Sequence, residues 1–453
     1  MSHPVRRLLL LTSLFLPALQ HGLAGDVQNV PVEPLMIAPF ILLLLAIAIV
    51  PFINRHWWEK NYPTVAIGLG LIVIGYYLFV LQNPVRMMHV GTEYFSFIVR
   101  IGSLFVVAGG IHIKIRGRST PQANLLLLLV GAVLSNVVGT TGASMILIRP
   151  YLRVNRYRIK PFHVVFFIFI VSNMGGALTP IGDPPLFLGY LQGIPFFWVA
   201  ETVWFKWLVA MAIILGVFFA LDYISYRRLP ARERHEAEAK GEEGEVSGIQ
   251  NAFFLAIILV AVFISRPLFV REILMLAAAA GSYFTTRKEI HEKNAFNFLP
   301  IKEVGILFLG IFATMVPALD WLEMNSDQIG IHSVGQFYWA TGLLSSVLDN
   351  APTYLNFLSA QIGLFADPEL DRDVQHLIQA RGPDLAQALT QSSPEVRDTF
   401  ALLFREHYGL VASGNVPERL IMVTHLLAHH ELHVQAISLA AVFFGACTYI
   451  GNG

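Results

Sequence analysis

The chain carries one cysteine, Cys447, in 453 residues. That excludes an intrachain disulfide, and with no second thiol nearby a zinc or redox role has no support. Charge is scarce too: 14% of residues are Asp, Glu, Lys or Arg, against about 25% in a soluble globular domain. The 31 basic and 31 acidic side chains cancel, so nothing points to nucleic acid. No P-loop pattern occurs, which leaves ATP-driven work unsupported. No nucleophile–base pair or metal motif lies at hydrophobic depth. A membrane-embedded enzyme is therefore disfavoured, and no cofactor is expected.

What the chain has in abundance is apolar length. It is 55% hydrophobic, with a mean hydropathy of +0.59. Runs of ~20 apolar residues, enough to cross a bilayer core of ~30 Å, recur along it. The expected fold class is an all-α polytopic membrane protein. Residues 1–25 read as a signal peptide: Arg6 and Arg7 precede an apolar stretch, and Gly22, Ala24 and Gly25 follow it. Basic loops mark the cytoplasmic side. By that rule residues 34–53 go in, 62–81 go out, and 94–113 return to Lys114, Arg116 and Arg118. Residues 122–148 are flanked by basic clusters at both ends, so they read as a re-entrant hairpin with its tip at 135–142. Residues 162–198 form a span broken at 179–185, and 205–224 come back. A hydrophilic cytoplasmic linker, 226–250, joins the halves. The second half then runs with opposite orientation through 251–270, 273–286 and 304–322. A second hairpin at 334–364, a non-cytoplasmic insertion at 366–433 and a second broken helix from 434 complete it. This divides the chain into a first repeat, 26–225, and a second, 251–453. The closing elements of the first repeat have no counterpart in the second, so the chain reads as a truncated product. A bacterial inner membrane fits the pattern.

Two motifs carry the repeat. Residues 134–141, reading Leu-Ser-Asn-Val-Val-Gly-Thr-Thr, are echoed at 344–351 by Leu-Ser-Ser-Val-Leu-Asp-Asn-Ala. Residues 176–183, Gly-Ala-Leu-Thr-Pro-Ile-Gly-Asp, are echoed at 445–452 with five of eight positions identical. Asn452 stands opposite Asp183. Paired helix-breaking segments at matching positions of two halves are the sequence signature of a secondary transporter's binding site, built as an inverted-topology repeat. Unwound backbone and hydroxyl oxygens suit a hard cation such as sodium. Ser135, Asn136, Thr140 and Thr141 supply them at one tip, and Ser345, Ser346, Asp349, Asn350 and Thr353 at the other. Thr179 and Thr448 sit at the breaks. Ser135, Asn136, Asp349 and Asn350 are the expected sodium ligands. Asp183 and Asp349 lie in apolar runs, where a carboxylate marks an ion or proton pathway, and are the expected proton-coupling pair. The competing reading of each is a helix cap. His425, His429 and His433 share one helix face, which fits an interfacial helix, metal binding or pH sensing.

With its Asp349-Asn350-Ala351-Pro352 and Thr179-Pro180-Ile181-Gly182-Asp183 forms, the chain resembles the ion transporter superfamily, most closely its NhaD-type sodium:proton antiporter and citrate-transporter-like branch. The resemblance implies two re-entrant hairpins, two broken transmembrane helices, transported Na+ and H+, contact with membrane lipid and a homodimer. Dicarboxylate carriers typically carry Ser-Asn-Thr at both tips. Here the tips read Ser135-Asn136-Val137 and Ser345-Ser346-Val347, and the two acids favour a cation. Sodium:proton antiport is the leading expectation. Sodium-coupled citrate or other carboxylate transport, or arsenite export, is the alternative, and such an anion site would more naturally show an arginine.

Overall fold

A computed structural model describes residues 30–114, 119–230, 244–264, 267–380 and 382–447. The signal-peptide reading, most of the linker, and Thr448 and Asn452 lie outside the described residues. The described chain is mostly helical, with 19 helices and one two-stranded sheet, which bears out an all-α membrane protein. Among the described residues, five helical stretches are long and apolar enough to cross a bilayer: Pro34–Val80, Pro84–Gly109, Pro121–Val138, Trp198–Arg227 and Leu299–Met324.

The first two expected spans run as one bent element, α1 (Ala38–Gly75), with no open loop between them. Its bend is at Asn54, whose backbone leaves the helical region just after Pro51. The Asn54 side chain accepts a hydrogen bond from the Trp57 amide at 3.0 Å and restarts the helix as an N-cap. The next helix is α2 (Pro84–Gly109). Residues 122–148, expected as a hairpin, fall in two helices, α3 (Pro121–Val138) and α4 (Thr140–Val154), which pack on each other and are separated by Gly139 alone. The expected wider tip is not unwound: α3 stays helical to Val138, and the Asn136 side-chain amide donates back to Ala132 O at 3.1 Å.

The first broken helix opens earlier than its proline motif suggests. Helix α5 (Pro161–Ile170) ends at Val171, and non-helical chain with one short 3-10 turn leads to α6 (Pro184–Leu191). Helix α7 (Trp198–Arg227) follows. The end of the linker is not free in solvent: β2 (Glu245–Ser247) pairs antiparallel with β1 (His112–Lys114), setting Val246 against Ile113.

The second half begins with α8 (Asn251–Val262), α9 (Val270–Thr285), the short α10 (Lys288–Lys293) and α11 (Leu299–Met324). Helices α1 and α11 meet along small residues. A Cβ on Gly310 would lie 2.8 Å from the Ala66 Cβ, so the two backbones touch as membrane helices do. The second hairpin segment is α12 (Val334–Ser345) and α13 (Asn350–Leu364), interrupted at 346–349. The insertion is helical: α14 (Pro368–Gln379), α15 (Gly382–Gln391), α16 (Pro394–Glu406) and α17 (Tyr408–Ser413), leading to α18 (Glu418–His429). It has its own core, including Val374, Leu377, Leu403 and Ile421. The last described helix is α19 (Glu431–Gly445), packed against α12 and α13.

Candidate functional site

The site grows from the unwound stretch between α5 and α6. Asn136 brackets it from α3: its side-chain amide donates to Gly175 O at 2.6 Å, and its carbonyl accepts from the Leu178 amide at 3.0 Å. Thr179 donates to Asn136 O at 2.7 Å and accepts from the Gly182 amide at 3.1 Å. Ser135 donates to Val171 O at 2.7 Å. These polar side chains satisfy backbone groups that an interrupted helix would leave bare at depth. Two glycines permit the closeness. Gly182 lies so near Gly176 that a Cβ on it would sit 2.0 Å from Gly176 O. Gly139 has φ +79°, a backbone that side-chain-bearing residues avoid, and it lets α4 begin against Gly182, whose carbonyl accepts from the Thr140 amide at 2.9 Å.

Asp183 ends the stretch, 2% exposed. It occupies the N-cap position of α6 with extended backbone, yet its side chain makes no capping hydrogen bond. Pro184 and Pro185 follow it, and the second removes an amide that a cap would use. The carboxylate instead faces both halves of the molecule. One oxygen accepts from the Thr140 hydroxyl at 3.3 Å, the other from the Asn350 amide at 2.9 Å. Thr140 is the first residue of α4 and Asn350 the first of α13. They occupy the same place in the two tip motifs.

Asp349 does act as a helix cap, accepting from the Ala351 amide at 2.9 Å. It remains buried, and its chain neighbour Asn350 is the residue that donates to Asp183. Thr353 donates to Asp349 O at 2.8 Å. Ser345 donates to Ala441 O at 2.7 Å and ties α12 to α19, as Ser135 ties α3 to the end of α5. Thr141 is exposed and Ser346 half-buried, and Ser346 donates to Leu343 O. The structure thus brings Asp183, Asp349, Thr140 and Asn350 together. Asn136, Thr179, Ser135, Ser345 and Thr353 surround them as backbone holders.

The sequence reading missed Arg100. This side chain of α2 is 2% exposed, and its guanidinium donates to Pro180 O at 2.9 Å and Ile181 O at 3.1 Å. It stacks over Phe187, four residues after Asp183, at 4.1 Å. Its Nε makes no hydrogen bond. The available signal was a lone arginine inside the apolar run 94–113, which is by default a functional residue.

The histidine row does not act as a ligand set. Among the described residues no three His, Cys, Asp or Glu side chains are placed to hold a metal ion. His430 breaks the face by ending α18, and it stacks on Phe365 at 3.7 Å between centroids.

A family model described as "Putative citrate transport" matches residues 30–453. No curated protein matches the chain.

Proposed function

Since this chain belongs to that citrate-transport family, we propose that it is a secondary active transporter of a carboxylate anion of the citrate class, driven by a cation or proton held at Asp183. The observation that carries the reading is Arg100. It is a permanently charged group buried at the same unwound segment as Asp183, with one donor unspent. An arginine fork is the natural partner of a carboxylate. The α3–α4 and α12–α13 pairs are read as the two re-entrant hairpins of an inverted repeat. That reading is supported by Thr140 and Asn350, which come from matching tip positions and reach opposite oxygens of one carboxylate. Rocking of either hairpin would alter the Asp183 shell, and a bound cation would fix it. Coupling follows if the anion binds well only when that charge is neutralised.

Sodium:proton antiport is the second reading, favoured by two buried carboxylates, Asp183 and Asp349, bridged through Asn350, which is next to one and bound to the other. Two carboxylates sharing a site hold a proton or a cation more readily than two full charges.

One comparison separates them. Everted vesicles containing the protein are tested for dissipation of a proton gradient by sodium or lithium, and right-side-out vesicles for labelled citrate uptake. Cation-dependent citrate uptake, reduced about 10- to 100-fold by Arg100→Gln, is expected, since a charge-assisted hydrogen bond contributes about 1.5–3 kcal/mol. Sodium-dependent dissipation without citrate uptake would replace the proposal with antiport.

A further inference from the structure

A cavity of about 210 Å³ lies between α2, α6, α9 and the chain leading into α9. His89, Thr92, Glu93 and Ser96 of α2 line it, facing Arg271 and Glu272 of α9. Glu272 is buried and accepts from Ser96 at 2.7 Å and from Arg271 at 2.8 Å. Arg271 also donates to Ser96 at 3.2 Å. Glu93 accepts from Gln192 at 2.9 Å. Two carboxylates, Glu93 and Glu272, thus share the lining with one guanidinium, Arg271, and with His89. The nearby Arg86 and Arg419 are each paired with a carboxylate of their own, Asp320 and Glu323, so the lining keeps one carboxylate in excess.

Two of its walls lead to the site. Along α2, Ser96 stands one turn, ~6 Å, above Arg100 on the same face. Along α6, Leu191 lines the cavity at one end and Asp183 precedes the other end, ~12 Å away by helical rise. The cavity sits at the start of α2, the end opposite the basic Lys114 side, and is therefore on the outer face by the positive-inside rule.

We propose that this cavity is the external entrance for the coupling cation, which passes Glu93 and Glu272 before reaching Asp183. The inference rests on the transport reading above. It concerns the cation only, since an anionic cargo would meet two carboxylates here.

The single cysteine makes the test clean. In a Cys447→Ala background, Ser96→Cys and Thr92→Cys are each exposed in right-side-out vesicles to membrane-impermeant methanethiosulfonates, one bearing trimethylammonium and one bearing sulfonate. Ser413→Cys, on the exposed insertion, is the reference site. At the cavity positions the ratio of cationic to anionic reaction rates should exceed that of the reference by about tenfold, the low end of enrichment in a charged cleft. Cation-driven citrate uptake should then fall relative to the same variant before reagent. No reaction at either cavity position while Ser413→Cys reacts would overturn the entrance, and so would reaction only from the cytoplasmic side. Full reaction with unchanged uptake would overturn it as well. If uptake is absent before any reagent while labelling keeps its charge preference, the transport reading fails and the cavity's openness does not.

Discussion

At the scale of the residue, what frees Asp183 is the pair of prolines behind it. A carboxylate at a helix start ordinarily accepts from the second or third amide of the helix. Here Pro185 lacks the second amide, the third, of Leu186, is left unused by the carboxylate, and the oxygens turn to Thr140 and Asn350. The shorter bond is from Asn350, so the two partners are unequal. Asn350→Ala should raise the cation concentration for half-maximal uptake about tenfold, the equivalent of one hydrogen bond of ~1.4 kcal/mol. Thr140→Val should raise it less. A larger effect from Thr140→Val would mean that the first tip dominates the cation shell. Gly182→Ala tests the close approach itself. Its Cβ would collide with Gly176 O, which is backbone and cannot swing away. Overpacking of this kind costs about 1–3 kcal/mol, read as a lower unfolding temperature in detergent. A variant as stable as the parent would contradict the tight crossing. The acid and its two tip partners were legible in the sequence because polar residues inside apolar runs announce themselves. Arg100 was passed over, since one arginine in a span leaves no repeat and no motif around it.

At the scale of the element, the base of the α3–α4 pair is held by a buried polar knot. Asp222 of α7 accepts from Arg158, Asn124 and His163, and the bond from Asn124 is 2.9 Å. His163 Nδ1 accepts from the Lys160 amide, so its Nε2 carries the proton toward Asp222. Removing one partner of a buried pair leaves the other charge stranded, at about 3–5 kcal/mol. Asp222→Ala should therefore lower the detergent unfolding temperature sharply, whereas a change under ~1 kcal/mol would show the pair to be solvent-relaxed. Arg158 belongs to the basic cluster that set the orientation of this segment. Its partner comes from 64 residues further along the chain, where local charge counting cannot see it. The same holds for Asp320 and Glu323, which the sequence presents as an acidic stretch without a base. Asp320 is bound by Arg86 at 2.7 Å and Glu323 pairs with Arg419. The early opening of the first broken helix was hidden for a related reason. Val171 and Ser172 look helical locally, and Asn136 and Ser135 hold the unwound chain from a distance.

At the scale of the whole molecule, the insertion is tied to the scaffold where α6 and α11 end. Arg419 reaches Glu323 of α11 and Gln192 beyond α6, and His407 meets Gly193 O at 3.3 Å. At the junction with α19, His430 is held between Phe365 and three histidines, His425, His429 and His433, with Glu395 nearby. Burial, then the neighbouring histidines, pushes His430 down to about 4 from its ordinary 6.5. The unfolded chain therefore binds a proton that the folded chain refuses. Stability is fully present above pH 6.5 and falls as the pH drops toward 4. His425 is shifted the same way. Thermal unfolding at pH 7 and pH 5 should show the loss, and His430→Phe, which keeps the ring on Phe365, should flatten it. An unchanged pH slope would place the sensitivity elsewhere.

The proposed coupling of the driving cation to the anion runs through Asp183, gripped by both tips. It is tested most directly by labelled citrate accumulation in proteoliposomes under imposed sodium or proton gradients, parent against Asp183→Asn. Gradient-driven accumulation is expected in the parent and none above equilibrium in the variant. Accumulation by Asp183→Asn that still follows the gradient would contradict it.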